Sequence, residues 1–327
     1  MAPHSNDTLK QLIKKHPQEQ NNFAYNIQDC TPFFLSTEDI SNALQSFPNG
    51  SSGSVDCLAP QHLKDMFLNV PEGVAKDRNL SRLSNFLYGV INHDIPASIK
   101  SIFFGARLLA LKKKCWGVRP IAIGNCLRRL ASKLINTYVS RFFKTHFLPN
   151  QFGAGAKCGT EFVIHSTRSF IQNNPEAVIL KIDFANAFIS IDRSWLLSEA
   201  NRLKLPGLKF ISSAYDRSSS LFYNDIIIPS QMGVQQGDPL GPFLFCLAIQ
   251  SIIRSLKSPL NLWYMDHGTR ADRKTLWWRI LSASRKNVTK LALPLIVRNA
   301  KYLTAKPHTT ILNTSILVLL NFWVPQC

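Results

Sequence analysis

The stretch "LNLWYMDHGTRAD", residues 260–272, sets one carboxylate, Asp266, at the end of an apolar run and a histidine, His267, directly after it. The run itself reads as a strand. An aspartate at the end of a strand serves most often as a cap or turn residue. Its rarer use is to hold a metal ion, and that needs a second carboxylate brought to the same place. "VILKID", Val178 to Asp183, supplies one: a short continuous apolar run, suited to a strand covered on both faces, that ends on Asp183. If the two strands are neighbours in one sheet, both carboxylates emerge on the same edge. That geometry holds two Mg2+ ions about 4 Å apart for in-line phosphoryl transfer.

Composition narrows the partners. The chain has 327 residues, 45% of them hydrophobic, enough to bury one large core or two ordinary ones. Its formal charge of +18 points to a polyanion, most simply nucleic acid, although a basic protein without such a partner is the plainer alternative. Seven cysteines are scattered without a CxxC pair, so neither a zinc knuckle nor a disulfide scaffold is indicated. Reduced thiols in an intracellular compartment fit better than secretion. The longest late apolar run, "ILNTSILVLLNFWV", is interrupted by Asn313 and Asn321 and falls short of the roughly 18 to 20 residues a membrane span requires.

Along the chain, residues 1–30 are polar and read as a loose N-terminus. Order is expected from "PFFLSTEDISNALQSF", where Ser36 and Asp39 form a capping-box start and Ile40, Leu44 and Phe47 recur at helical spacing. Asp192 suits the N-cap of a helix through "RSWLLSEANRL". "LFYNDIII" reads as a hairpin turning at Asn224 and Asp225, and "GDPLGPFLFCLAIQSIIRSL" as a helix capped by Asp238 with Pro239 at its first position. Strands and helices alternate here without the Gly-rich loop of a dinucleotide or P-loop fold.

"LKIDFANAF", "GVQQGDPLGPFLF" and "WYMDHG", in this order and at these separations, resemble motifs A, B and C of reverse transcriptases. Their flanks are most similar to the polymerases of non-LTR retrotransposons. "SFPNGSSGSVDCLAPQHLKDMF" and "IFFGARLLALKKKCWGVRPIAIGNCLRRLASKLI" resemble the segments that precede motif A there, so the likeness covers roughly residues 30–270. It implies an α+β fold: the fingers and palm of a right-hand polymerase, with an antiparallel palm sheet backed by helices. The implied partners are an RNA template, a DNA primer and dNTPs, with Mg2+ as cofactor and no membrane.

The resemblance also assigns residues. Asp183 matches the metal-binding aspartate of motif A, and Asp266 the first aspartate of motif C. Phe188 matches the aromatic gate that fills the space of a ribose 2'-OH; ordinary core packing is its alternative role. Arg119, with Lys112, Lys113 and Lys114 upstream, matches the fingers segment that grips the triphosphate, although a lysine run is usually a solvated face. Gln236 and Gly237 match the motif B turn that lines the nucleotide pocket, the glycine admitting close backbone approach.

Two departures stand out. The family pattern continues Asp266 with a second aspartate, and His267 stands in its place. A neutral imidazole removes one negative charge from a two-cation site and suits Zn2+ better than Mg2+, so the site reads as degenerate. After Gly268 the family pattern is lost: residues 270–327 contain ten Lys or Arg and a single acid, Asp272, a net of +9. An old coding region read out of frame or across a false splice gives such a shift; a basic thumb peculiar to this lineage is the other explanation. The expected division is a flexible 1–30, an N-terminal extension with fingers over 31–180, a palm over 181–269, and an aberrant basic tail over 270–327 without a recognisable thumb. The expected function is RNA-directed DNA polymerisation in a degenerate or truncated copy. A catalytically inactive nucleic-acid-binding relic is the alternative, and a viral RNA-dependent RNA polymerase is disfavoured by Phe188.

Overall fold

The computed structural model of the protein describes residues 1–18, 30–113, 117–175, 177–184 and 186–273, together with the backbone of 295–296 and 300–301. Its strands are β1 (Ala106–Lys112), β2 (Val118–Gly124), β3 (Ala177–Phe184), β4 (Ser219–Tyr223), β5 (Ile226–Ser230), β6 (Leu260–Tyr264), β7 (His267–Arg273), β8 (Leu295–Ile296) and β9 (Ala300–Lys301). The chain parts into two units, Met1–Val139 with Arg193–Gly241, and Ser140–Asp192 with Pro242–Cys327. The sequence boundary drawn at residue 180 falls inside β3. Among the described residues no helix is long and apolar enough to cross a membrane.

The first unit is built on a sheet in the order β2-β1-β4-β5. β1 and β2 pair antiparallel from Ala106↔Gly124 to Lys112↔Val118, and β1 meets β4 in parallel at Ala106↔Leu221. β4 and β5 form the expected hairpin, and Asn224 adopts the left-handed φ of 51° that its two-residue turn demands. Burial alternates along β2 and β4, so one face is apolar. Leu12 packs with that face among Ala106, Leu108, Ala122, Leu221 and Ile228. It belongs to a helix, Asn6–Lys15, inside the stretch expected to be loose; Ser5 caps it by accepting from the Thr8 amide. A polar composition hid a short helix whose few apolar residues are enough to dock it. The capping box at Ser36 and Asp39 is present, and it opens the helix Thr37–Gln45.

The helix Gly241–Ser255 begins three residues after Asp238, so Asp238 and Pro239 do not start it as expected. Asp238 instead closes a turn on itself, its Oδ1 accepting from the Leu240 amide at 3.0 Å. Its Oδ2 pairs with the Arg128 guanidinium at 2.8 Å and accepts from the Tyr215 hydroxyl at 3.0 Å. Arg128 also donates to the Phe104 carbonyl and to Oε1 of Gln235, whose amide nitrogen donates to the Phe104 carbonyl and to Ser219 Oγ. Burial first, and the Asp238 charge second, push the Tyr215 hydroxyl above the usual phenol range, so it stays a donor. A buried guanidinium requires a carboxylate, and that need outweighs the helix start.

The second unit holds an antiparallel sheet in the order β6-β7-β3-β8, with β9 also pairing β3. The helix Gly159–Asn173 packs on β6, and Phe152, Val163, Ile179, Leu260, Leu262 and Ala271 form an apolar core. From Phe243 to Gln250 the helix Gly241–Ser255 is buried at every position, as a helix apolar all round must be. The mixed α+β architecture with an antiparallel sheet agrees with expectation. The assumed adjacency of the two aspartate-bearing strands does not hold: β7 lies between β3 and β6. β7 also runs to Arg273, so the ladder extends into the stretch counted with the basic tail, where Arg270 and Ala271 are buried. Most of that tail, 274–294, 297–299 and 302–327, lies outside the described residues.

Removing one partner of a buried ion pair strands the other charge, at a cost of about 3 to 5 kcal/mol. Asp238→Ala should therefore lower the urea midpoint strongly without changing the slope of the transition.

Candidate functional site

The site stands on one face of the second sheet. The cross-strand pairs Ile179↔Ala271, Lys181↔Thr269 and Asp183↔His267 follow one another along β3 and β7, on the same face because side chains alternate with a period of two. That face grades from apolar to polar to charged. Near its end the opposite face is apolar: Phe184 stacks on Trp263 at 5.7 Å, and a Cβ at Gly268 would lie 2.7 Å from the Trp263 ring, while buried Asn261 and Arg270 follow further along.

Asp183 closes β3 opposite His267, and its Oδ1 lies 3.3 Å from Nδ1 of the imidazole. Nε2 of the same ring is 3.9 Å from Asp266 Oδ1. One ligand atom from each of Asp183, Asp266 and His267 can be chosen so that all lie within 4.8 Å of one another. The two carboxylates therefore meet, as expected, but by a different route. Asp266 does not belong to β6; it sits in the two-residue turn that joins β6 to β7.

That turn needs support, because Met265 has φ 53°, a left-handed conformation that costs a side-chain-bearing residue about 1 kcal/mol or more. Gln151, fully buried, provides it. Its Oε1 accepts from the Met265 amide at 2.8 Å and its Nε2 donates to the Met265 carbonyl at 3.1 Å. The Gly153 amide donates to the same Oε1 at 2.9 Å, and a Cβ on Gly153 would stand 2.5 Å from the Met265 nitrogen. The segment is strung along the edge of β6 by Phe152 N–H to Trp263 O and Trp263 N–H to Asn150 O. The only trace of this clamp in the sequence is "NQFGAG", a buried-amide candidate among closely spaced glycines.

The His267 side chain is largely exposed beside these two carboxylates. The hydrogen bond with Asp183 foremost, then the charges of Asp266 and Asp183, raise its basicity above the ordinary histidine value; desolvation and Lys181 oppose them. Lys181 is held by a hydrogen bond from its ammonium to Thr269 Oγ1 at 2.5 Å, and burial lowers its basicity. Burial first, and Asp266 second, keep Cys246 a neutral thiol.

The remaining expected residues divide between the units. Phe188 lies in the second, in the short helix Ala187–Ser190, half-buried and stacked on Phe245 at 4.6 Å. Arg119, Gln236 and Gly237 lie in the first. Arg119 is exposed on β2 opposite Leu111, and Lys112 is exposed on β1 opposite Val118. Lys114 lies outside the described residues. The Gln236 carbonyl accepts from the Ala122 amide at 2.8 Å. Gly237, at φ 133°, would place a Cβ 2.3 Å from the Ala122 carbonyl oxygen, so the close approach that requires glycine is to β2.

Residues 111–269 match the family model of the reverse transcriptase (RNA-dependent DNA polymerase). The matched stretch contains Arg119, Asp183, Phe188, Gln236, Gly237, Asp266 and His267, and it supports a reverse-transcriptase-like function. Such domains act with divalent metal ions on a nucleic-acid template, a primer and nucleotides.

A histidine whose folded value is raised adds stability that is fully present below its unfolded value, about 6.5, and is lost as pH rises through the folded value. Proton NMR of the His267 ring should accordingly show a midpoint above 6.5, and Asp183→Asn should move it down. A midpoint indifferent to Asp183 would contradict the contact.

Proposed function

We propose that this chain is the polymerase part of a non-LTR retrotransposon, an RNA-directed DNA polymerase whose turnover is impaired by His267. What carries the reading is the meeting of Asp183, Asp266 and His267 at one sheet end, within the stretch that resembles reverse transcriptases. Two carboxylates offer the hard oxygen ligands that Mg2+ prefers. The imidazole is a poor Mg2+ ligand, so the donor set fits one such ion better than two. When bound, Mg2+ activates the primer hydroxyl and offsets charge on the reacting phosphate.

The chain's own residues take the other roles. Asp183 and Asp266 fix the cation, and Gln151 holds Asp266 in place through the Met265 turn. Phe188, backed by Phe245, presents a rigid ring where a ribose 2'-OH would enter and so favours dNTPs. The resemblance to reverse transcriptases gives Arg119 the role of meeting the triphosphate, and Gln236 and Gly237 that of the motif B turn. The +18 charge supplies affinity for the RNA template and DNA primer. The imidazole between two carboxylates also favours a second reading, a nucleic-acid-binding relic without turnover.

Single-nucleotide extension of a DNA primer on RNA separates the two. Each 1.4 kcal/mol of lost transition-state stabilisation is a factor of ten, so His267→Asp should raise the Mg2+-dependent rate by about tenfold or more, and Asp183→Ala should abolish it. Wild-type extension that survives loss of Asp183 would place the chemistry elsewhere. Salt-sensitive binding of the duplex with no extension by any variant would favour the relic.

A further inference from the structure

Lys181 was not among the residues that the sequence assigned, yet it occupies the cross-strand pair next to Asp183↔His267. Strand residues two apart lie roughly 7 Å from one another on the same face. The Lys181 ammonium is tied to Thr269 Oγ1 at 2.5 Å, and Thr269 is itself buried and two residues from His267. The Lys181 side chain is exposed to solvent, yet this hydrogen bond tethers its ammonium, and its charge lowers the basicity of the imidazole.

We propose that Lys181 is a built-in counter-charge that limits the Asp183–Asp266 pair to a single divalent cation. The inference rests on the metal-binding reading of those two carboxylates. With the imidazole neutral, the two carboxylates and the ammonium together carry a formal charge of −1, whereas two divalent ions bring +4. A fixed positive charge nearby opposes each cation that enters by a similar amount, and the second, arriving after the carboxylates' charge has been offset, has the least attraction left to overcome it. With a carboxylate in place of His267 the same lysine would be tolerated, because the site would carry one more negative charge. Its effect is decisive only in this chain's altered pattern. Lys181 thus acts as a specificity-determining residue for ion number and touches no reacting atom.

Mn2+ binding, read by the electron paramagnetic resonance of the free ion, tests this on the full chain. Lys181→Met, which keeps the stem and drops the charge, should bind Mn2+ roughly tenfold more tightly than wild type. Lys181→Arg should resemble wild type. Lys181→Met combined with His267→Asp should take up two ions. The gap between Lys181→Met and wild type should narrow toward one as salt rises to about 1 M, which repacking alone would not produce. If Lys181→Met and wild type bind alike while Asp183→Asn abolishes binding, Lys181 has no such role and the metal reading stands. If Asp183→Asn leaves Mn2+ binding unchanged, the metal reading itself fails and the counter-charge with it.

Discussion

The register of β3 against β7 is the constraint on which the rest of this site depends. Seven consecutive pairs, Ala177↔Arg273 to Asp183↔His267, decide which side chains share a face and which end of the sheet they reach. A slip of one residue would turn Asp183 and Lys181 into the apolar layer occupied by Leu180, Ile182 and Phe184. The burial of that layer is what forbids the slip: Phe184 stacks on Trp263, whose ring also lies over Gly268. The buried face therefore fixes the charged one.

The aspartate pair is assembled from elements of unequal robustness. Asp183 ends a central strand with neighbours on both sides, so its position follows from the ladder. Asp266 rests on a two-residue turn in a left-handed conformation, and without the Gln151 amide both polar groups of Met265 would be left without those bonds. The precision of the second carboxylate is thus supplied from a segment more than a hundred residues earlier. A turn that must hold a ligand is commonly braced in this way, since loops alone position side chains poorly.

Local features were legible in the sequence. The Ser36–Asp39 box and the Asn224–Asp225 turn depend on residues a few positions apart, and both stand where their spelling places them. The apolar runs of β3 and β6 were equally clear. What was hidden depended on distant partners. β7, spelled "HGTRADR", has the composition of a loop, and it is a strand because β3 and β6 flank it on either side. Arg128 and Asp238 are 110 residues apart, so nothing near Asp238 distinguished an ion pair from a helix cap. The approach of Asp183 to Asp266 was anticipated, but the intervening strand, the Gln151 brace and the tethered Lys181 were not, because each exists only once the sheet has formed.

The parallel pairing of β1 with β4 has a bearing on how the chain is made. Ala106 meets Leu221, and the residues between them include the whole of Ser140–Asp192, which belongs to the other unit. At a synthesis rate of about 5 to 20 residues per second, β1 emerges roughly 6 to 23 s before the strand it must pair with. β2 can join one edge of β1 at once, since only a short connection separates them, but the second edge stays open through that interval. An apolar strand with an unpaired edge is a template for intermolecular association, so the first unit is at its most vulnerable during translation, before Leu221 has been added.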